Sequence, residues 1–165
     1  MMSGLPTVEE WLRFQEVLLP FLIRCGAAAL CGGMIGLERE IRRKPAGFRT
    51  NILICVGAAM YMTVGLLVFD DGRRMGDPTR IAAQVVTGIG FLGAGAIMQS
   101  HGRVSGLTTA ATIWVVAAIG IIAGAGYPLL AFVATCMVVL TLVVLLKVEN
   151  RFLDPMSGDD AKGET

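Results

Sequence analysis

Residues 81–98 read IAAQVVTGIGFLGAGAIM, an apolar run interrupted only by Gln84 and Thr87. A run of this length suffices for a helix to cross the hydrocarbon core of a bilayer, where unpaired backbone groups are excluded. Gly88, Gly90, Gly93 and Gly95 crowd its middle. Each would weaken a water-exposed helix by roughly 1 kcal/mol relative to alanine, whereas in lipid glycine lets neighbouring backbones approach. The run is therefore expected to be the central helix, with others packed on more than one side. Gly88, Gly90 and Gly93 also fit G-x-G-x-x-G. That fingerprint binds dinucleotides only between a strand and a helix of a soluble βαβ unit, and no such unit can be drawn here.

Four more apolar runs lie at 17–37, 50–69, 106–123 and 128–148. Charged residues make up 16% of the chain, against about 25% in ordinary soluble domains. The fold class expected is all-α, a polytopic membrane protein with a five-helix transmembrane domain over 17–148. Ahead of it, 1–16 reads as a surface amphipathic segment, with Thr7 and Glu10 as a capping box and Trp11 at headgroup level. The alternative is that this segment simply extends the first span. Glu9, Glu10 and Glu16 outweigh the single base Arg13, so the segment is not a standard signal peptide. Residues 149–165 read as a short polar cytoplasmic tail. Asp77-Pro78 reads as a helix start, with aspartate at the cap and proline at the first position. Cys25, Cys31, Cys55 and Cys136 all fall in apolar runs and read as small buried residues.

Five spans put the termini on opposite sides. Nine of the fourteen Lys and Arg fall on the side of the first link, the third link and the tail, four fall on the other side, and Arg24 lies inside span one. The positive-inside rule then predicts a cytoplasmic C-terminus and a periplasmic N-terminus.

With that orientation, Glu38, Arg39, Arg49, Thr50, Ser105, Thr108 and Thr109 gather at the cytoplasmic ends of spans one to four as a candidate site. Glu38 is placed to hold a cation such as magnesium or to pair with Arg49, and it also stands four residues before Arg42, the favourable order for a helical ion pair. The neighbouring bases can equally serve as topology signals that touch lipid phosphates. Glu38→Gln is expected to abolish function without unfolding the chain, with Glu40→Gln as the control. A second polar set, Arg24, Asp77, Arg80 and Gln84, lies towards the opposite face. Intramembrane charges usually find partners, so Arg24 is expected to meet Gln84 or Asp77. Gly32 and Gly36 form a small-xxx-small pair in span one and, with the glycines of span three, are expected to mediate helix packing. The faces they leave over suggest a homodimer.

No Asp or Glu falls in the middle of a span, which is where a pathway for hydrated magnesium would be expected to offer carboxylates. His101, the one histidine, sits in a glycine-flanked link. No pairing of nucleophile and base is visible, so neither catalysis nor a cofactor is expected. The net charge of +1 gives no reason to invoke nucleic acid.

GLEREIRRKPAGFRT at 36–50, RIAAQVVTGIGFLGAGAIM at 80–98 and VSGLTTAATIWVVAAIG at 104–120 resemble the signatures of the MgtC/SapB family of bacterial inner-membrane proteins. The resemblance implies five spans and a regulatory role in adaptation to low magnesium, which in pathogens extends to survival inside macrophages. It also implies a membrane-protein partner such as the F-type ATP synthase. The alternative function is a magnesium transporter or channel. Longer members carry a soluble ACT-like domain after the last span, so the chain, ending at Thr165, reads as a short member without it.

Overall fold

The computed structural model describes residues 8–70, 77–100 and 103–152. They form helices α1 (Val8–Ile41), α2 (Phe48–Asp70), α3 (Pro78–Gly95), α4 (Leu107–Gly124) and α5 (Pro128–Phe152), with a hairpin of β1 (Met98–Ser100) and β2 (Arg103–Ser105) between α3 and α4. This is the all-α polytopic class. Thr7 of the expected capping box, His101 and residues 153–165 of the tail lie outside the described residues.

Among the described residues, four helices are long and apolar enough to cross a membrane, namely α1, α2, α4 and α5. α3 falls short on composition, because Arg80, Gln84 and its glycines dilute the apolar run. It nonetheless runs the length of the bundle. Its first turn meets the end of α2, where Ile81 packs at Gly65, and its last turn meets the start of α4, where Ala96 lies against Gly106. Its 18 residues extend about 27 Å. α1 continues without a break from Val8 through Pro20 to Ile41, so residues 8–16 continue the first span's helix.

The central helix is α4, not the glycine-rich α3. α4 packs against all four other helices and buries a wide face from Thr109 through Ile113, Val116 and Gly120 to Gly124. α3 buries only Gly93 and touches α2 and α4. The reason lies in where glycine meets a neighbour. A Cβ at Gly120 would collide with the Cys55 carbonyl, and one at Gly124 would stand 2.7 Å from the Cα of Ala59. Nearer the start of the same face of α2, a Cβ at Gly32 would lie 2.8 Å from the Cβ of Cys55, and one at Gly36 would lie 2.8 Å from the Cα of Phe48. One face of α2 thus packs closely on a glycine pair of α1 and a glycine pair of α4, the close approach that small residues permit in lipid. By contrast, nothing lies within 4 Å of the Cβ positions of Gly88, Gly90 or Gly95, and Gly93 makes only ordinary contact with Ala110. Within one chain the glycines of α3 do not mediate tight packing.

Cys31 and Cys55 are buried in this core, while Cys25 is half-buried and Cys136 is exposed. α5 buries Ala131 and Thr135 and turns most of its leucines and valines outward. Large outward-facing apolar side chains also run along α1 and α2, the surface a bilayer covers.

α3 ends at Gly95, and the hairpin takes over, pairing Met98 with Ser105 and Ser100 with Arg103. The span expected to run to residue 98 therefore stops three residues early. Gly106 closes the hairpin at a φ of 88°, with its α-carbon against the Ala96 carbonyl. A side chain there would be both strained and obstructed.

Candidate functional site

The turn between α1 and α2 fixes the polar residues at one end of the bundle. Arg43 and Ala46 take left-handed φ values of 53° and 56°, which cost energy for residues with a Cβ. Hydrogen bonds hold the turn: the Lys44 N–H donates to the Arg39 carbonyl at 3.0 Å, and the Asn51 amide donates to the Ala46 and Gly47 carbonyls at 2.5 and 2.9 Å. Glu40 accepts from the Phe48 N–H at 3.0 Å. It thus sets a carboxylate at the N-terminus of α2, where the helix dipole favours negative charge. Glu40, taken from sequence as a neutral control, caps a helix.

This turn leaves Arg39 as the largest fully buried side chain, 1% exposed. Its Nε lies 2.5 Å from one oxygen of Glu38, and Arg42 Nε lies 2.5 Å from the other. Glu38 is itself buried, 9% exposed. The expected pairing of Glu38 with Arg49 does not form, because Arg49 is on the exposed first turn of α2 while the helical spacing brings Arg42 within reach. Nor do the residues fit a magnesium site. Each Glu38 oxygen faces a guanidinium, and among the described residues no group of three or more His, Cys, Asp and Glu comes together.

Of the seven residues expected at this end, Glu38 lines neither of two separate cavities, and the other six divide between them. Arg39, Ser105, Thr108 and Thr109 line one cavity of about 830 Å³ between the α1–α2 turn and helices α4 and α5. Arg49 and Thr50 line a separate, shallower hollow with Glu40 and Phe48. Lys44, read from sequence only as one of the bases that fix topology and touch lipid phosphates, also lines the larger cavity.

At the other end, Arg24 meets neither Gln84 nor Asp77. Its Nη1 donates to the Gly124 carbonyl at 3.1 Å, and the Thr63 hydroxyl donates to the same oxygen at 3.1 Å. That carbonyl ends α4, where unpaired C=O groups and the dipole attract a cation. The small residues that let α1, α2 and α4 close together bring Arg24 to α4 rather than to α3. Arg24→Ala is expected to cost about 1.5–3 kcal/mol, the range for a hydrogen bond to a charged group, and Thr63→Val about 1 kcal/mol. Thermal unfolding in detergent reads both, and equal midpoints for wild type and Arg24→Ala would show that the contact contributes nothing.

Asp77 caps α3 as the sequence indicated, with Oδ1 accepting from the Thr79 N–H at 2.8 Å and Pro78 in the first turn. Hydrogen bonding from the Thr79 side chain and then from its backbone N–H holds the Asp77 carboxyl below the usual range. Arg80 and Gln84 are exposed and line an apolar groove of about 760 Å³ between α2 and α3. Gly57 and Gly88 lie in this groove, and no atom stands within 4 Å of a Cβ built at either.

Residues 26–151 match the MgtC family. Similar curated proteins include the "Putative magnesium transporter YhiD" of Escherichia coli (strain K12), 45% identical over 138 residues that cover 81% of this chain and 64% of that protein. "Protein MgtC" of Brucella abortus (strain 2308) is 50% identical over 112 residues, 68% of this chain and 45% of that protein. "Protein MgtC" of Salmonella typhimurium (strain 14028s) is 40% identical over 147 residues, 88% of this chain and 62% of that protein. The chain thus spans less than two thirds of the length of these relatives. No solved structure matches.

Proposed function

The chain belongs to the MgtC family, and on that premise we propose that it is a non-enzymatic regulator in adaptation to low magnesium. It acts by docking its α2–α3 face on a spanning helix of another membrane protein. The observation that carries this reading is the groove holding Gly57, Gly88 and Gln84. A floor without side chains at two positions lets a foreign backbone come close, and an exposed amide at membrane depth gains a hydrogen bond when a partner helix arrives. The family resemblance names the F-type ATP synthase as such a partner. The bias of Lys and Arg towards one side of the chain supports a cytoplasmic C-terminus and a periplasmic N-terminus in the inner membrane.

Gly57→Leu and Gly88→Leu test this directly. Neither position has a neighbour within 4 Å, so both variants are expected to unfold within about 0.5 kcal/mol of wild type, as surface changes do. Both are expected to lose growth in low magnesium and co-purification with the ATP synthase. Wild-type growth and co-purification in both variants would remove the groove from the function. Loss of a detergent dimer instead would assign the groove to a second copy of the chain.

The transporter reading rests on the name given to the Escherichia coli relative. Magnesium flux into liposomes holding only the purified protein would favour it over regulation.

A further inference from the structure

The cavity of about 830 Å³ has two chemically different ends. One end is cationic and rich in donors. Arg39 lines it and is 1% exposed, and its Nη2, out of solvent, has no hydrogen-bond partner among the described residues. Lys44 lines the same end. α4 starts there at Leu107 behind Gly106, a cap residue with no side chain to take up the first N–H groups, and Thr108 and Thr109 follow. Two bases, Arg39 and Lys44, line the cavity with no acid among its lining residues, and Glu38, held by Arg39 and Arg42, lies outside that lining. A buried guanidinium with an unmet donor, at the uncapped N-terminus of an 18-residue helix, is the chemistry that binds phosphate.

The other end is apolar. It runs between α4 and α5 past Ala111, Val115, Val138, Leu142 and Leu145, and the hydroxyls of Thr112 and Thr141, which also line it, donate to the Thr108 and Met137 carbonyls of their own helices. Leu145 is exposed, on the part of α5 that faces the bilayer. A free phosphate would leave this slot empty, whereas an acyl chain fills it.

We propose that this cavity is a binding site for an anionic phospholipid. The headgroup phosphate sits on Arg39 Nη2, Lys44 and the first turn of α4, and an acyl chain lies between α4 and α5. Basic pockets between spanning helices recognise anionic headgroups in this way. The bound lipid satisfies the buried donor and ties the α1–α2 turn to α4.

The test titrates the purified full-length chain in detergent with phosphatidylglycerol, with phosphatidylcholine and with inorganic phosphate. Native mass spectrometry reads retained lipid, and the unfolding midpoint reads stabilisation. Phosphatidylglycerol is expected to bind at least about tenfold tighter than phosphatidylcholine, with each base contributing about fivefold. Lys44→Gln, at an exposed position, is expected to weaken phosphatidylglycerol about fivefold without changing the lipid-free midpoint. Arg39→Lys keeps a charge beside Glu38 and removes the free Nη2, so it is expected to lose the headgroup preference. Ala111→Phe fills the slot and is expected to exclude both lipids. Equal retention of the two lipids overturns the proposal, as does full stabilisation by inorganic phosphate alone. A phosphatidylglycerol preference that survives Lys44→Gln and Ala111→Phe also overturns it, whatever the fate of Arg39→Lys, because the lipid would then bind elsewhere.

Discussion

Gly120→Leu is expected to lower the unfolding midpoint in detergent by about 10 °C, and Gly90→Leu is expected to leave it almost unchanged. Gly120 lies against α2, where even a methyl group would meet the Cys55 carbonyl and stand 2.9 Å from the Cβ of Ala58. A leucine forces α4 away from α2 and breaks the contact on which the core is built. Overpacking of this kind costs about 3 kcal/mol, and a chain of this size loses about 2–4 °C per kcal/mol. Gly90 has nothing within 4 Å of its Cβ position and is exposed, so the same side chain finds room in lipid. The sequence reading placed close packing at the glycines of span three, Gly90 among them. Equal shifts for Gly120→Leu and Gly90→Leu would mean that α4 is not the centre of the bundle.

Glu38→Gln is expected to destabilise the fold by about 3 kcal/mol, the lower end of the range for breaking a buried ion pair. Arg39 would keep its charge with 1% of its surface exposed and lose the carboxylate 2.5 Å away. Arg42, one third exposed, can turn to water and adds little. This reverses the expectation from sequence that Glu38→Gln would remove function while leaving the protein intact. Protein level in membranes is now expected to fall together with growth. The double variant Glu38→Gln with Arg39→Met separates the causes, because replacing both partners of a buried pair is often close to neutral. Recovery of the midpoint in the double variant, measured as a cycle with both single changes, identifies the orphaned charge as the cause. A midpoint that stays low would show that Glu38 supports the fold through some other contact. Glu40→Gln no longer serves as a silent control, since it removes a charge at the start of α2 worth about 0.3–1 kcal/mol.

Local chemistry was legible in the chain. The helix bounds agree with the apolar runs to within a few residues except at the start of α1, which begins at Val8, well ahead of the run at 17. The Asp77-Pro78 cap and the Glu38–Arg42 pair depend on neighbours four residues apart or fewer, and both are present. Gly32 and Gly36 are one turn apart on one face and meet α2 together. The end of α3 was misread because Ile97 and Met98 are as apolar as the helix before them, and nothing apolar distinguishes a last helical turn from a strand residue.

What the sequence by itself determined is therefore the class of solvent and the local elements: helices long enough for lipid, their caps, and the bases that crowd one end. What only the tertiary structure decided is which helix is central and which partner each polar side chain takes. A spanning helix is apolar on all sides, so α4 carries no polar face to say which side is buried. Glycine content signals that a close approach is possible, but not where it happens. Gly120 and Gly124 have α2 against them, and Gly88 and Gly90 have nothing within 4 Å. Arg24 reaches Gly124, one hundred residues away, because three helices close on one another through small residues, and that closure is a property of the packed bundle.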